Sequence, residues 1–156
     1  MANSSSPFAA ASMLIRKPAA LVFQAFLDPA VTTHFWFTKS SGILQLNQPV
    51  IWEWEMYHFS TKVVATEIRK DEKIVIDWYT GEEPSWVEFS FKKWNDDSTF
   101  VTIKHYDFHK EGDALIAAIR DSTEGFTIVL AGLKAWLEQG IHLNLIMDKF
   151  PKAPTE

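Results

Sequence analysis

Residues 50–59, VIWEWEMYHF, place large side chains at alternate positions. On a β-strand, Trp52, Trp54, Met56 and His58 point to one face, because successive strand side chains alternate between faces. Rigid aromatic surfaces suit flat or apolar ligands, since they bury much area with little loss of rotamer freedom. These residues therefore predict a cavity lining with His58 as a polar group at its mouth. An ordinary filled core, with a hydrogen-bonded histidine at the strand end, is the alternative.

The titratable residues give little indication of catalysis or metal binding. His105 and His109 lie four apart, on or just after a predicted strand, but no third ligand at a recognisable spacing accompanies them. Glu53 and Glu55 alternate with the tryptophans and are expected to face solvent, whereas paired catalytic carboxylates must converge on one bond. We therefore name no catalytic residue, no metal ligand and no cofactor, and an enzyme is the less favoured interpretation.

The first third of the chain predicts a strand and two short helices. The strand covers residues 7–16, and Pro18 suits the first turn of the helix that follows. Asp28 ends that helix, because the residue before a proline avoids the helical conformation. A second short helix runs from Pro29 to about Phe35.

From residue 41 to residue 108 the hydrophobic period is two, which predicts strands. In KIVIDW, for example, Ile74, Ile76 and Trp78 share a face. The polar segments between strands are short, which favours hairpins and an antiparallel meander covered on one side. The predicted strands cover residues 41–46, 49–58, 61–70, 73–79, 85–93 and 99–108.

The chain then returns to a helical period. A short helix over 111–120 is expected to lead into a main helix from Asp121, with Glu124 three residues later as in a capping box, to a stop at Gly140. Gly125 and Gly132 lie seven apart and lower helix propensity, which indicates a close approach to the backbone. The apolar stripe comprises Phe126, Val129, Leu130, Leu133, Trp136 and Leu137.

This order of elements predicts an α+β fold in which a curved antiparallel sheet of six or seven strands holds a long C-terminal helix. A helix cannot fill a concave sheet completely, so a cleft lined by the tryptophans is expected beneath it. Small-molecule pockets are commonly apolar, aromatic-lined clefts of this kind. We expect one domain over residues 7–150, a disordered tail at 1–6 and a tail at 151–156, after a segment that packs.

Composition excludes several classes of protein. A net charge of −5 argues against nucleic acid as the main partner. No apolar run reaches the roughly 18 residues of a membrane span. The lack of cysteine excludes a disulfide scaffold and a thiolate site, and fits a cytoplasmic protein. The N-terminus lacks the basic region of a secretory signal.

Four segments carry a family resemblance: PAALVFQAFLDPAVTTHFW (18–36), IVIDW (74–78), TFVTIKH (99–105) and EGFTIVLAGLKAWLEQG (124–140). The chain resembles the START-like superfamily, also called SRPBCC or birch-pollen-allergen-like. Within it, the chain is similar to the AHSA1-type branch, named for the activator of the heat-shock protein 90 ATPase. The resemblance implies a helix-grip fold. It is weak for function, because the superfamily holds lipid carriers, receptors and cyclases.

Three functions follow from these observations. The first is a module that binds a small apolar or lipid-like molecule between sheet and helix. The alternatives are a stress-linked interaction domain or chaperone cofactor, and a cyclase-like enzyme. The residues predicted to contact the ligand are Trp36, Trp52, Trp54, Met56, His58, Trp78, His105, Phe126, Leu130 and Leu133.

Overall fold

Seven antiparallel strands form one curved sheet in the computed structural model, which describes residues 7–153. The strands are β1 (Ala9–Ile15), β2 (Lys39–Ser40), β3 (Val50–Trp54), β4 (Phe59–Arg69), β5 (Lys73–Tyr79), β6 (Ser85–Asn95) and β7 (Ser98–Tyr106). Their order is β1-β7-β6-β5-β4-β3-β2, and neighbouring strands are antiparallel, as the short polar links predicted. The predicted tail at 1–6, and the end of the second tail at 154–156, lie outside the described residues.

Four helices accompany the sheet: α1 (Ala19–Leu27), α2 (Pro29–Thr32), α3 (Gly112–Gln139) and α4 (Leu145–Lys149). The Asp28 side chain accepts a hydrogen bond from the Ala30 N–H at 3.0 Å and so caps α2. Gly140 ends α3 with a φ of 65°, as predicted. The two short helices after the first strand and the long C-terminal helix confirm the α+β helix-grip fold.

Helix α3 begins earlier than the sequence pattern indicated. Residues 111–120 do not form a separate lead-in helix, and Asp121 is not a cap, because α3 is continuous from Gly112 with Glu111 at its N-cap. The leucine- and alanine-containing stretch over 114–119 has high helix propensity and no proline, so nothing interrupts the helix there.

Two predicted strands differ from those of the structure. The strand over 49–58 ends at Trp54, because Glu55–Tyr57 form a single 3₁₀ turn and His58 is left-handed, with a φ of 50°. The prediction of a strand over 41–46 was wrong. The Leu44 N–H donates to the Leu27 carbonyl of α1, and the Asn47 N–H donates to the Ala65 carbonyl of β4, so this segment crosses the sheet edge instead of extending it.

The core lies between the concave face of the sheet and one side of α3. Phe126 and Leu130 are both buried, which confirms the predicted helix face. Helix α3 also passes very close to Phe35, which follows α2, at Gly132. Within residues 7–153, no helix is both long and apolar enough to cross a membrane.

Candidate functional site

An apolar cleft of about 300 Å³, open to solvent on one side and called the cavity below, lies between α3 and the concave face of the sheet. Its volume and aromatic lining are typical of small-molecule pockets. Asp121 and Phe150 line it and are exposed, so they mark its mouth. The lining residues are Trp36, Trp54, Trp78, His105, Asp121, Ser122, Gly125, Phe126, Val129, Ile146 and Phe150.

The aromatic walls hold one another in edge-to-face contacts. The Trp36 ring centre lies 5.9 Å from that of Trp78, and the rings are inclined at 88°. Phe126 meets Trp36 at 5.6 Å and Trp78 at 5.8 Å, again edge to face. Such pairs stabilise beyond their buried area, so these walls are preorganised without a ligand.

Only one of the two tryptophans of β3 borders the cavity. Trp54 lines it, whereas Trp52 stacks on Phe37 at 4.6 Å and meets the edge of Trp36 at 4.9 Å. Trp52 is 2 % exposed and belongs to the filled core. Both side chains point inward, as strand parity predicted, but neighbouring aromatic rings occupy the space beside Trp52.

Four other residues predicted to contact the ligand also lie outside the cavity lining. Leu130 and Leu133 are fully buried in the core and are not among the lining residues of the cavity. Met56 borders two other pockets, next to the C-terminal segment, and His58 is exposed. The prediction that Met56 and His58 share the strand parity of Trp54 was wrong, because the 3₁₀ turn rotates both away.

His105 is the central polar side chain of the cavity wall. Its Nδ1 lies 2.7 Å from the Ser122 hydroxyl of α3, and its Nε2 lies 2.7 Å from the Ser85 hydroxyl of β6. The residue is 8 % exposed, and this burial lowers its pKa to about 4. The ring is therefore neutral at physiological pH and links sheet to helix through two hydrogen bonds.

His109 does not join His105, although the two lie four residues apart. Strand β7 ends at Tyr106, and the chain then turns through positive φ values at Asp107 and His109. The His109 ring instead contacts the Pro84 carbonyl at 2.9 Å and a Glu83 carboxylate oxygen at 3.2 Å. Across residues 7–153, no group of three or more His, Asp or Glu side chains is placed to hold a metal ion.

The segment after α3 covers one side of the cavity through Ile146 and Phe150. The Tyr57 hydroxyl lies 2.6 Å from the Phe150 carbonyl oxygen and 3.3 Å from the Ile146 carbonyl oxygen. Lys149 forms an ion pair at 3.2 Å with Glu124 of α3. These contacts hold the segment after α3 in place over the cavity. The sequence pattern predicted that this segment packs but did not predict that it borders the cavity.

Ser122 and Ser85 were missed in the sequence, although each carried a signal. Ser122 precedes Phe126 by four residues, so both lie on the same face of α3. Ser85 shares strand parity with the buried Val87 and Phe89 and is directly opposite Trp78 in the sheet. A serine on the otherwise apolar, inward face of a helix or strand is a sequence signal for a polar group in a buried site.

A comparison with known protein families identifies the family of this chain. The family model described as "Activator of Hsp90 ATPase homolog 1-like protein" matches residues 16–138, which is most of the chain. The chain belongs to this AHSA1 family. Its fold is that of the START-like superfamily, as the resemblance implied. No curated protein matches the sequence significantly.

Solved structures share the fold of this AHSA1 domain. A protein of Staphylococcus saprophyticus is similar with a TM-score of 0.76 at 23% identity, covering 88% of this chain and 96% of that one. A START superfamily protein of Mycobacterium smegmatis has a TM-score of 0.68 at 12% identity, over 86% and 99% of the chains. An HSP90 activator of Plasmodium falciparum has a TM-score of 0.63 at 19% identity, over 84% and 96%. At these identities the likeness is one of fold.

Proposed function

We propose that this AHSA1 domain binds a small, largely apolar molecule in the cavity beneath α3. The observation that carries this function is a cleft of about 300 Å³ with four large aromatic walls, Trp36, Trp54, Trp78 and Phe126. Clefts lined by apolar and aromatic side chains with a few convergent polar groups are the usual form of small-molecule sites. The cleft beneath α3 has this form, with His105 and Ser122 as its polar groups.

The walls set the expected affinity. Burial of about 200 Å² of apolar ligand surface supplies on the order of 5 kcal/mol at about 25 cal/mol per Å². The loss of translational and rotational freedom on association consumes part of that energy. Because about 5 kcal/mol corresponds to a Kd of only about 0.2 mM before that loss, we expect millimolar affinity from the apolar walls alone.

Tryptophan fluorescence tests the proposal, because three tryptophans line the cavity. A panel of small aromatic compounds is titrated into the protein, and saturable quenching is expected. Trp54→Ala removes one wall and should weaken binding strongly. Trp94→Ala is the matched control, because Trp94 is 60 % exposed on β6 and is not among the lining residues.

A cavity-filling variant gives an independent test. Beyond its own turn of helix, a Cβ built on Gly125 has no heavy atom of residues 7–153 within 4 Å, so Gly125→Leu should occupy the cavity and abolish binding. Thr127→Leu, at an exposed position of the same helix, should leave binding unchanged. Saturable binding that survives Gly125→Leu, or a panel in which no compound saturates, would contradict the proposed function.

A second candidate is a chaperone cofactor that acts on a heat-shock protein 90. Its support is the family, named for an Hsp90 ATPase activator, together with exposed apolar side chains after α3, at Ile141, Leu143, Met147 and Phe150. The test measures Hsp90 ATPase activity with and without the domain. Stimulation lost in a Leu143→Ser, Met147→Ser double variant, but kept in Gly125→Leu, would favour this function over ligand binding.

A further inference from the structure

The hydrogen bonds around His105 determine which atoms of the cavity wall carry protons. Ser85 Oγ contacts both His105 Nε2, at 2.7 Å, and the Trp78 carbonyl oxygen, at 3.4 Å. A carbonyl oxygen can only accept, so all of these contacts are hydrogen bonds at once only when the Ser85 proton points to Trp78. We assign this arrangement, in which the His105 Nε2 carries a proton and donates it to Ser85.

The protonation of the other ring nitrogen, Nδ1, follows from this tautomer. A neutral imidazole carries one N–H, and burial keeps His105 neutral by lowering its pKa to about 4. Nδ1 is therefore bare and accepts the hydroxyl proton of Ser122 at 2.7 Å. Ser122 has no proton left to donate, and its oxygen keeps lone pairs for another donor.

Ser122 differs from its neighbours on α3. Thr123 and Thr127 donate to the backbone carbonyls of Ile119 and Thr123, both at 2.7 Å, as hydroxyl residues within helices commonly do. Ser122 instead bonds across the cavity wall to His105, and within residues 7–153 this is its one side-chain hydrogen bond. Its oxygen is thus a hydrogen-bond acceptor at an apolar cavity.

The charges of the lining restrict the ligand further. Asp121, at the mouth, is the charged residue among the lining side chains, so an anionic ligand would be repelled. The Trp78 indole N–H is buried without a hydrogen-bond partner among the described residues, and its ring centre lies 5.6 Å from that of His105.

We propose that the ligand is a neutral alcohol or phenol whose hydroxyl proton is accepted by Ser122 Oγ, while its carbon skeleton lies against the aromatic walls. This inference rests on the proposed ligand-binding function and names the chemical class of its ligand. A hydroxyl donates and therefore serves the Ser122 oxygen, whereas an ether or ketone only accepts.

Three probes of similar shape test the inference by isothermal titration calorimetry: 2-naphthol, 2-methoxynaphthalene and 2-methylnaphthalene. Wild-type protein should bind 2-naphthol about three- to tenfold more tightly than the other two, the gain expected from one hydrogen bond. If all three bind equally, the hydroxyl inference fails and the proposed function stands. If none binds, both fail.

Ser122→Ala should remove the preference for 2-naphthol and leave the affinity for 2-methylnaphthalene unchanged. Thr123→Ala is the matched control, because it removes a hydroxyl from the same helix at a position outside the lining, and it should keep the preference. A preference for 2-naphthol that persists in Ser122→Ala would overturn the assignment to this oxygen.

The tautomer itself has a separate readout that needs no ligand. A long-range ¹H–¹⁵N NMR spectrum of the ligand-free protein should show His105 protonated at Nε2 and bare at Nδ1. A proton on Nδ1 would leave Ser122 free to donate, and the proposal would be overturned in favour of a ligand that only accepts.

Discussion

Gly125 and Gly132, on the apolar side of α3, lie seven residues apart and differ in the space beside them. A Cβ on Gly132 would lie 3.2 Å from both the Cβ and the carbonyl oxygen of Phe35. A Cβ on Gly125 would meet no heavy atom of residues 7–153 within 4 Å beyond its own turn of helix. The space between helix and sheet is therefore filled at one end and open at the other. The same residue type serves tight packing in one place and a cavity in the other.

The aromatic residues repeat this difference. At the filled end, Trp52 and Phe37 stack and are buried. At the open end, Trp54, Trp78 and Phe126 line a cavity with their edges and faces. Leu130 and Leu133 are fully buried in the core, whereas the open end keeps unfilled volume beside His105. Five predictions compare the two ends.

Trp52→Ala should destabilise the protein by about 3–5 kcal/mol, because it removes a closely packed aromatic side chain and leaves a new cavity. Trp54→Ala should cost clearly less, since Trp54 already borders empty volume. Urea denaturation measures both free energies of unfolding. Equal losses would show that the two tryptophans do not differ in packing.

Leu130→Ala should cost roughly 2–5 kcal/mol, the range for a fully buried leucine in a closely packed core. The side chain is not among those that line the cavity, so no existing volume reduces the loss. Thermal unfolding followed by circular dichroism gives the measurement. A loss below about 1 kcal/mol would mean that this end of the core is loosely packed.

The open end should make stability depend on pH through His105. Its pKa of about 4 in the folded protein lies below the ordinary 6.5, so the unfolded chain takes up the proton first as the pH falls. The neutral form of His105 therefore contributes up to about 3 kcal/mol to the free energy of unfolding. This contribution is complete above pH 6.5 and is lost progressively as the pH falls towards 4.

Free energies of unfolding at several pH values test this, with His105→Gln as the non-titrating control. The charged or titratable residues of the two pockets that meet at His105 are Asp121 on one side and Glu82, Glu83, His109 and Lys110 on the other, and all are exposed. The difference between wild type and variant over this pH range therefore isolates His105. An unchanged slope in His105→Gln would refute the prediction.

Gly132→Ala should cost about 1–2 kcal/mol. The added methyl group overpacks against Phe35, which costs about 1–3 kcal/mol, and the better helix propensity of alanine recovers up to about 1 kcal/mol. The close atoms are the Cβ and the backbone oxygen of Phe35, so the penalty should not depend on the Phe35 ring. Chemical denaturation gives the free energy of unfolding, with Gly125→Ala of the same helix as the control. An unchanged or increased free energy of unfolding in Gly132→Ala would contradict the prediction.

Gly125→Ala should be neutral or stabilise the protein by up to about 1 kcal/mol, because alanine favours the helix and meets no neighbour. The two glycine variants thus have effects of opposite sign at positions two turns apart. A destabilised Gly125→Ala protein would indicate that the open end is filled in solution.

Much of the fold was predictable, because it follows from local periodicity. Alternation in KIVIDW identified β5, and the stripe from Phe126 to Leu137 identified the buried face of α3. The failures lie where local patterns are broken by non-local contacts. The alternation of residues 50–59 continues past Trp54 in the sequence, but the backbone leaves the sheet in a 3₁₀ turn at Glu55.

The amino-acid sequence alone determined the α+β architecture, the antiparallel sheet and the inward direction of Trp52 and Trp54, because period, turn chemistry and side-chain parity are local properties of the chain. Only the tertiary structure decided which inward side chains pack and which border a cavity. That choice depends on which side chains from separate elements meet. Phe35 meets Gly132, and His105 bonds to Ser85 and Ser122, which are contacts between residues far apart in the sequence.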